Sequence, residues 1–194
     1  MTDAILVCCG LIVSMLAIAG VTDVAAAEEL PGPTMPEYMG VNLKTHNFDV
    51  ETLQRVHDMG FRIVRRGLYW KSVEKEKGVY DFSDWDKQMD GARELGLTVN
   101  LILFSHNDLY DTEGKGGFQS EIEREAFARF AAAAAAHYKD HEVLWEIWNE
   151  PNTKTFWGKH GDGNSREYAA QYTALVKAVV PVMRRADPNC FIMA

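Results

Sequence analysis

Two hydrophobic periods alternate along the chain. Short apolar runs of strand length recur between longer stretches whose apolar residues fall three and four positions apart. Tyr38 to Leu43 reads as a first strand. Asp49 is placed to cap a helix through Met59, with Leu53 and Val56 on one face and Gly60 as its stop. Phe61 to Arg65 is a second strand, and Ser83 or Asp84 opens a helix that runs to Leu95 and stops at Gly96. Leu97 to Phe104, almost continuously apolar, is a third strand. Ser120 with Glu123 forms a capping box. The helix it opens carries Ile122, Ala126, Phe130, Ala134 and Tyr138 at steps of four, so the alanine run at 131–136 belongs to a helix. Val143 to Trp148 is a fourth strand. Ser165 opens a helix to about Arg185, expected to bend at Pro181. Cys190 to Ala194 reads as a fifth strand.

Apolar strands separated by helices predict a parallel sheet covered by helices, an α/β fold. Periodicity does not separate a doubly wound sheet from a closed barrel. The segment Gly40-Val41-Asn42-Leu43-Lys44-Thr45-His46 holds no glycine-rich phosphate loop, which argues against nucleotide binding. In either architecture the chemistry is expected at the C-terminal ends of the strands.

Composition narrows the class. The 194 residues carry 28 acidic and 20 basic side chains, a net charge of −8, and no Lys/Arg run, so no nucleic-acid partner is expected. Residues 4–21 are apolar and lead into Val24-Ala25-Ala26-Ala27-Glu28, a small-x-small pattern. Residues 1–27 read as a signal peptide cut after Ala27, implying a secreted or periplasmic protein. The run is also long enough to span a membrane, and Asp3 stands before it without any Lys or Arg. A membrane partner therefore enters only if the segment stays uncleaved. Residues 28–36 are a Pro-rich leader, which leaves 37–194 as the domain. Cys8 and Cys9 fall within the leading segment, and Cys190 reads as a small buried apolar residue. No cofactor is expected: His46 and His106 sit on different strands without metal-ligand spacing.

The strand ends gather an unusual set. Asn42 and His46 follow strand one; Arg65, Arg66 and Trp70 follow strand two; His106, Asn107 and Asp108 follow strand three. Trp148, Asn149, Glu150, Pro151 and Asn152 follow strand four, with Trp157 close behind. Indoles stack on the apolar faces of pyranose rings, and amides and charges bond hydroxyls, so this rim suits an oligosaccharide or polysaccharide. Glu150 is the candidate for chemistry, since aromatic neighbours would give it an apolar wall suited to proton donation. Its alternative is an ion pair with an arginine such as Arg65. Glycosidic cleavage needs two carboxylates, about 5–5.5 Å apart for retention and about 6.5–9.5 Å for inversion. On a regular strand Glu146 shares a face with Glu150, but four residues at about 3.3 Å each leave about 13 Å between them. Glu146 is then either an interior carboxylate that orients others or a buried paired acid. Asp108, Asp111 and Glu113 read as a solvated loop.

The stretch Trp145-Glu146-Ile147-Trp148-Asn149-Glu150-Pro151-Asn152 resembles the retaining glycoside hydrolases of clan A, near families 5 and 39. Arg62 to Arg65, Trp70 to Glu74 and Lys77-Gly78-Val79-Tyr80-Asp81-Phe82 are similar to their second strand and the loop after it. The resemblance covers roughly residues 37–194 and implies a (β/α)8 TIM barrel truncated after strand five. That is consistent with a length short of the roughly 250 residues of a full barrel. It implies Glu150 as general acid/base, Asn149 as the amide holding the sugar 2-hydroxyl, and Arg65 as the arginine beside the nucleophile. His106, Asn107, Trp148 and Trp157 would line sugar subsites. Gly67 stands where relatives often carry an acid. The clan's nucleophile is a Glu on strand seven, so the resemblance implies an enzyme whose nucleophile lies outside these residues. An inactive half-barrel that binds carbohydrate is the alternative.

Overall fold

Local capping sets where the helices begin. The Asp49 carboxylate accepts from the Thr52 amide at 2.8 Å and from its hydroxyl at 3.1 Å. That amide holds the Asp49 carboxyl below the usual range. Ser120 and Glu123 close the expected capping box, with Ser120 Oγ accepting from the Glu123 amide and the Ser120 amide donating to Glu123 Oε2. The helix after strand two differs from expectation: Phe82 occupies its N-cap with no side-chain bond, and Asp81 accepts from the Ser83 amide instead.

A computed structural model describes residues 39–44, 48–110, 118, 120–157 and 166–194. The expected signal peptide and leader, His46, Asp111, Glu113 and Ser165 lie outside the described residues. In chain order the elements are β1 (Gly40–Asn42), α1 (Val50–Asp58), β2 (Ile63–Tyr69), α2 (Trp70–Val73), α3 (Ser83–Glu94) and β3 (Thr98–Phe104). They continue with α4 (Glu121–His137), β4 (Val143–Ile147), α5 (Lys154–Trp157), α6 (Arg166–Ala186) and β5 (Phe191–Met193). The strands pair in parallel in the order β1-β2-β3-β4-β5, and the sheet is not closed. This is the (β/α)8 plan through its fifth strand, as the sequence predicts.

Alternation along the strands sorts two faces. Val64, Leu68, Val99, Leu101, Leu103, Trp145 and Ile147 point outward and are buried. They form one core with Leu53 and Val56 of α1, Phe127 and Phe130 of α4, and Leu175, Val179 and Met183 of α6. Arg65, Gly67, Tyr69, Asn100, Phe104 and Glu146 have the other parity and are only partly buried. No helix among the described residues is long and apolar enough to cross a membrane.

Three expectations need correction. β2 continues four residues past Arg65, because its ladder to β3 runs unbroken from Ile63↔Thr98 to Tyr69↔Phe104 across Gly67. β4 ends at Ile147, one residue early, because Trp148 takes φ +66°. Ile122 is 65% exposed, so the buried row of α4 starts a turn later, at Ala126.

Candidate functional site

The inner face of β2, β3 and β4 carries a hydrogen-bonded polar cluster. Arg65 Nε donates to Glu146 Oε2 at 2.8 Å, and Nη2 donates to Glu146 Oε1 at 2.6 Å. Nη2 also donates to Asn149 Oδ1 at 2.9 Å, and Asn100 Nδ2 donates to Glu146 Oε2 at 3.2 Å. The paired bonds to Glu146 push the Arg65 guanidinium above its ordinary value, with Glu150 adding a longer-range attraction. Arg65 thus spends its paired bonds on Glu146, which is the arginine's direct carboxylate partner. Asn149 has its carbonyl oxygen committed, which leaves its amide group as the free donating end.

Regular alternation would put Asn149 on the opposite face from Glu146. Both bond Arg65, so the parity breaks between them. The break is Trp148, left-handed at φ +66°, and Glu150, just after Asn149, is left-handed as well at φ +46°. Such conformations are costly for side chains with a Cβ and persist only where surroundings hold them. Here the Trp148 amide donates to Leu103 O at 3.0 Å, and its indole Nε1 donates to Phe156 O at 3.0 Å. The Glu150 carbonyl accepts from the Thr153 amide at 3.0 Å and from its hydroxyl at 3.1 Å. The assumption that Glu146 and Glu150 share a regular strand face therefore fails.

The kink turns Trp148 away from the rim. Its ring lies 4.9 Å from Phe104, 4.9 Å from His106, 5.1 Å from Phe118 and 5.7 Å from Trp157. Trp148 and Trp157 are 1% and 0% exposed, with Trp157 Nε1 donating to Gln171 at 2.7 Å. Both rings are packed among Phe118 and each other, with Trp148 also against Phe127 and Trp157 against Tyr172. Glu150 is exposed among the described residues. Asn107 is 4% exposed; it donates to Glu74 O at 2.8 Å and accepts from the Leu109 amide at 3.1 Å, so it fixes its own loop. His106 is half-buried against Phe118 and Trp148, and Asp108 is exposed.

Glu74 is a residue whose role the sequence reading did not isolate. It is 1% exposed and accepts from Trp70 Nε1, the Gly78 amide and Tyr110 Oη. It ties the loop after β2 to the loop after β3. The signal for it was the Trp70-to-Glu74 spacing, since residues four apart on a helical turn face each other. Among the described residues no group of three His, Cys, Asp or Glu side chains converges on a metal position.

Five parallel strands with an Arg–Glu–Asn cluster at the mouth and a Glu on the adjoining kink define the N-terminal half of a clan A glycoside hydrolase barrel. The family model for cellulase (glycosyl hydrolase family 5) matches residues 32–194, and the chain belongs to that family. It is 25% identical over 175 residues to endo-1,4-beta-xylanase A of Humicola insolens, covering 88% of this chain and 44% of that protein. An endo-1,4-beta-xylanase of Agaricus bisporus is 24% identical over 63% of this chain and 36% of its own length. Among solved structures, a family 39 glycoside hydrolase of Bacteroides cellulosilyticus superposes with TM-score 0.63 at 24% identity, over 80% of this chain and 30% of its own. A Pseudomonas stutzeri endoglucanase in complex with cellobiose gives 0.59 at 18% identity, over 79% and 48%. The chain spans less than half the length of each of these relatives.

Proposed function

We propose that this chain carries the acid/base half of a retaining glycosidase site acting on a β-linked polysaccharide such as xylan or β-glucan. The observation that carries the reading is Asn149, oriented by Arg65 and set beside Glu150 at the end of β4. With its Oδ1 held by Arg65, the Asn149 amide would donate to the sugar 2-hydroxyl, a bond that strengthens as the ring gains oxocarbenium character. Glu150 would protonate the leaving glycosidic oxygen and later take a proton from the attacking water. The nucleophile, about 5–5.5 Å from Glu150 in a retaining enzyme, would come from a strand beyond β5. Glu146 would position Arg65 and Asn149 and take no part in proton transfer. Names of relatives, two endo-1,4-beta-xylanases and an endoglucanase, support the substrate class.

The decisive test uses protein expressed from its complete coding sequence. Glu150→Gln should lower kcat on unactivated polysaccharide by about 10²–10⁴-fold, and by less on aryl glycosides with activated leaving groups. Unchanged turnover of the polymer would refute the assignment. Export is a further part of this reading. Secreted protein should begin near Glu28, and an intact Met1 in the membrane fraction would refute cleavage.

A further inference from the structure

Past the end of the β2–β3 ladder, at Tyr69 and Phe104, the two segments stay tied by side chains. The Lys71 amide donates to Ser105 Oγ at 3.3 Å, Asn107 Nδ2 donates to the Glu74 carbonyl at 2.8 Å, and Tyr110 Oη donates to Glu74 Oε1 at 2.6 Å. All three bonds run between the α2 turn, with its C-cap Glu74, and the loop that follows β3.

His106 lies inside that set of bonds. Ser105 before it takes φ +77°, a left-handed conformation that a residue with a Cβ keeps only where its surroundings hold it. Asn107 after it is buried. The imidazole ring stands 5.4 Å from Phe118 and 4.9 Å from Trp148, the left-handed residue that precedes Asn149 and Glu150.

Glu74 does more than close its own turn. Its bonds from Trp70 Nε1 and the Gly78 amide are local, four residues to either side. The bond from Tyr110 spans 36 residues. The Trp70 and Tyr110 rings stack at 5.3 Å and 15°, so one carboxylate joins the polar edges of a stacked pair drawn from α2 and the β3 loop. A buried charge is costly unless its oxygens are satisfied, and a carboxylate accepts on both oxygens and donates nothing. Glutamine in its place would turn an amide N–H toward a donor.

We propose that Glu74 is a positioning residue for the acid/base end of β4. It clamps the β3 loop, the loop sets the His106 ring against Trp148, and Trp148 keeps Asn149 and Glu150 aimed. The inference rests on the glycosidase reading above and adds a residue that acts only through others.

The test uses protein expressed from its complete coding sequence. Tyr110→Phe removes only the hydroxyl that reaches Glu74, and Glu74→Gln alters the acceptor. Each should lower kcat on xylan or β-glucan by at least about fivefold and up to about 100-fold, the loss expected when a remote change misplaces a catalytic group, with KM little changed. In a His106→Ala background the same two changes should have little further effect, because the link they cut is already broken. The His106 Cε1–H resonance, assigned in NMR spectra by its loss in His106→Ala, should move in both variants. Wild-type kcat in a folded Tyr110→Phe overturns the proposal. So do losses that multiply in the His106→Ala background, or a His106 resonance that stays in place. If Glu74→Gln fails to fold, Tyr110→Phe decides alone. Polysaccharide turnover that survives Glu150→Gln would instead overturn the acid/base reading, so the two failures are distinguishable.

Discussion

The two sides of the β4 end are built on opposite terms. In front, Arg65, Glu146 and Asn149 are polar, partly open and joined by short directed bonds. Behind, Trp148, Trp157, Phe118 and Phe127 are closed off from solvent and joined by ring contacts of 4.9 to 6.0 Å. The same three residues, Trp148 to Glu150, feed both sides. The difference teaches that the rear supplies the stability and the front supplies the orientation. The left-handed turns at Trp148 and Glu150 are held largely by bonds to residues 153–156 and to β3. Strain of this kind is concentrated where a site needs a side chain aimed against the regular strand direction.

The largest effect should come from emptying the rear. Trp157→Ala removes a fully buried indole that touches Phe118, Trp148 and Tyr172. It should cost about 3–5 kcal/mol of unfolding free energy, measured by urea denaturation. A loss under about 1 kcal/mol, the size seen for exposed sites, would break the comparison by showing that the rear is not what holds the kink.

Breaking the front should cost less stability and more order. Glu146→Ala leaves Arg65 without its paired acceptor. Both side chains are partly solvated, at 30% and 23% exposure, so the penalty should be about 1–2 kcal/mol, short of that for a sealed ion pair. The sharper readout is the Asn149 side-chain amide in ¹⁵N-resolved NMR. Its two proton resonances should move toward those of a solvent-exposed asparagine once Arg65 is released, whereas Trp157→Ala at a temperature well below its melting point should leave them nearer to wild type. An unchanged amide pair in Glu146→Ala would show that Asn149 is aimed without help from Glu146.

The contrast also explains which parts of the molecule were legible beforehand. Period-two and period-four patterns located all five strands and the α1, α3, α4 and α6 helices, because most of each element's burial follows its regular geometry. Arg65 and Asn149 were both placed at the strand ends by their residue types, but the bond between them was not foreseen. The burial of Trp148 and Trp157 was not legible, because indoles suit a sugar face and a core equally well and, for Trp148, the deciding variable was one φ angle. Period-two reasoning has no means of registering a left-handed residue that is not glycine. The second strand was ended at Arg65, when the β3 ladder in fact carries β2 through Gly67 to Tyr69. Glu74 looked like one more charged residue in an acidic chain until Trp70, Gly78 and Tyr110 closed around it.

The smallest predicted effect concerns Tyr172, which joins the two sides. Its hydroxyl donates to the Ile147 carbonyl at 2.8 Å, and its ring packs 5.9 Å from Trp157. Burial pushes the phenol up to about 12, with the negative charge of Glu146 on the far side of the strand adding to it. Below about pH 10 the phenol is protonated folded and unfolded, so Tyr172→Phe should lose only the hydrogen bond, about 1 kcal/mol. Between pH 10 and 12 the unfolded chain releases this proton and the folded chain keeps it, so the unfolded state binds fewer protons and wild-type stability falls as pH rises. Phenylalanine has no proton to lose. The advantage of wild type over Tyr172→Phe should therefore shrink above pH 10 and change sign at about pH 11. Tyr80, raised to about 12, and Tyr138, raised further, destabilise both proteins alike in alkali and cancel in the difference. Melting temperatures of the pair at pH 7 and through the alkaline range check this directly. A gap that stays constant with pH would mean that Tyr172 ionises as freely folded as unfolded, and that the rear of β4 is not sealed from solvent.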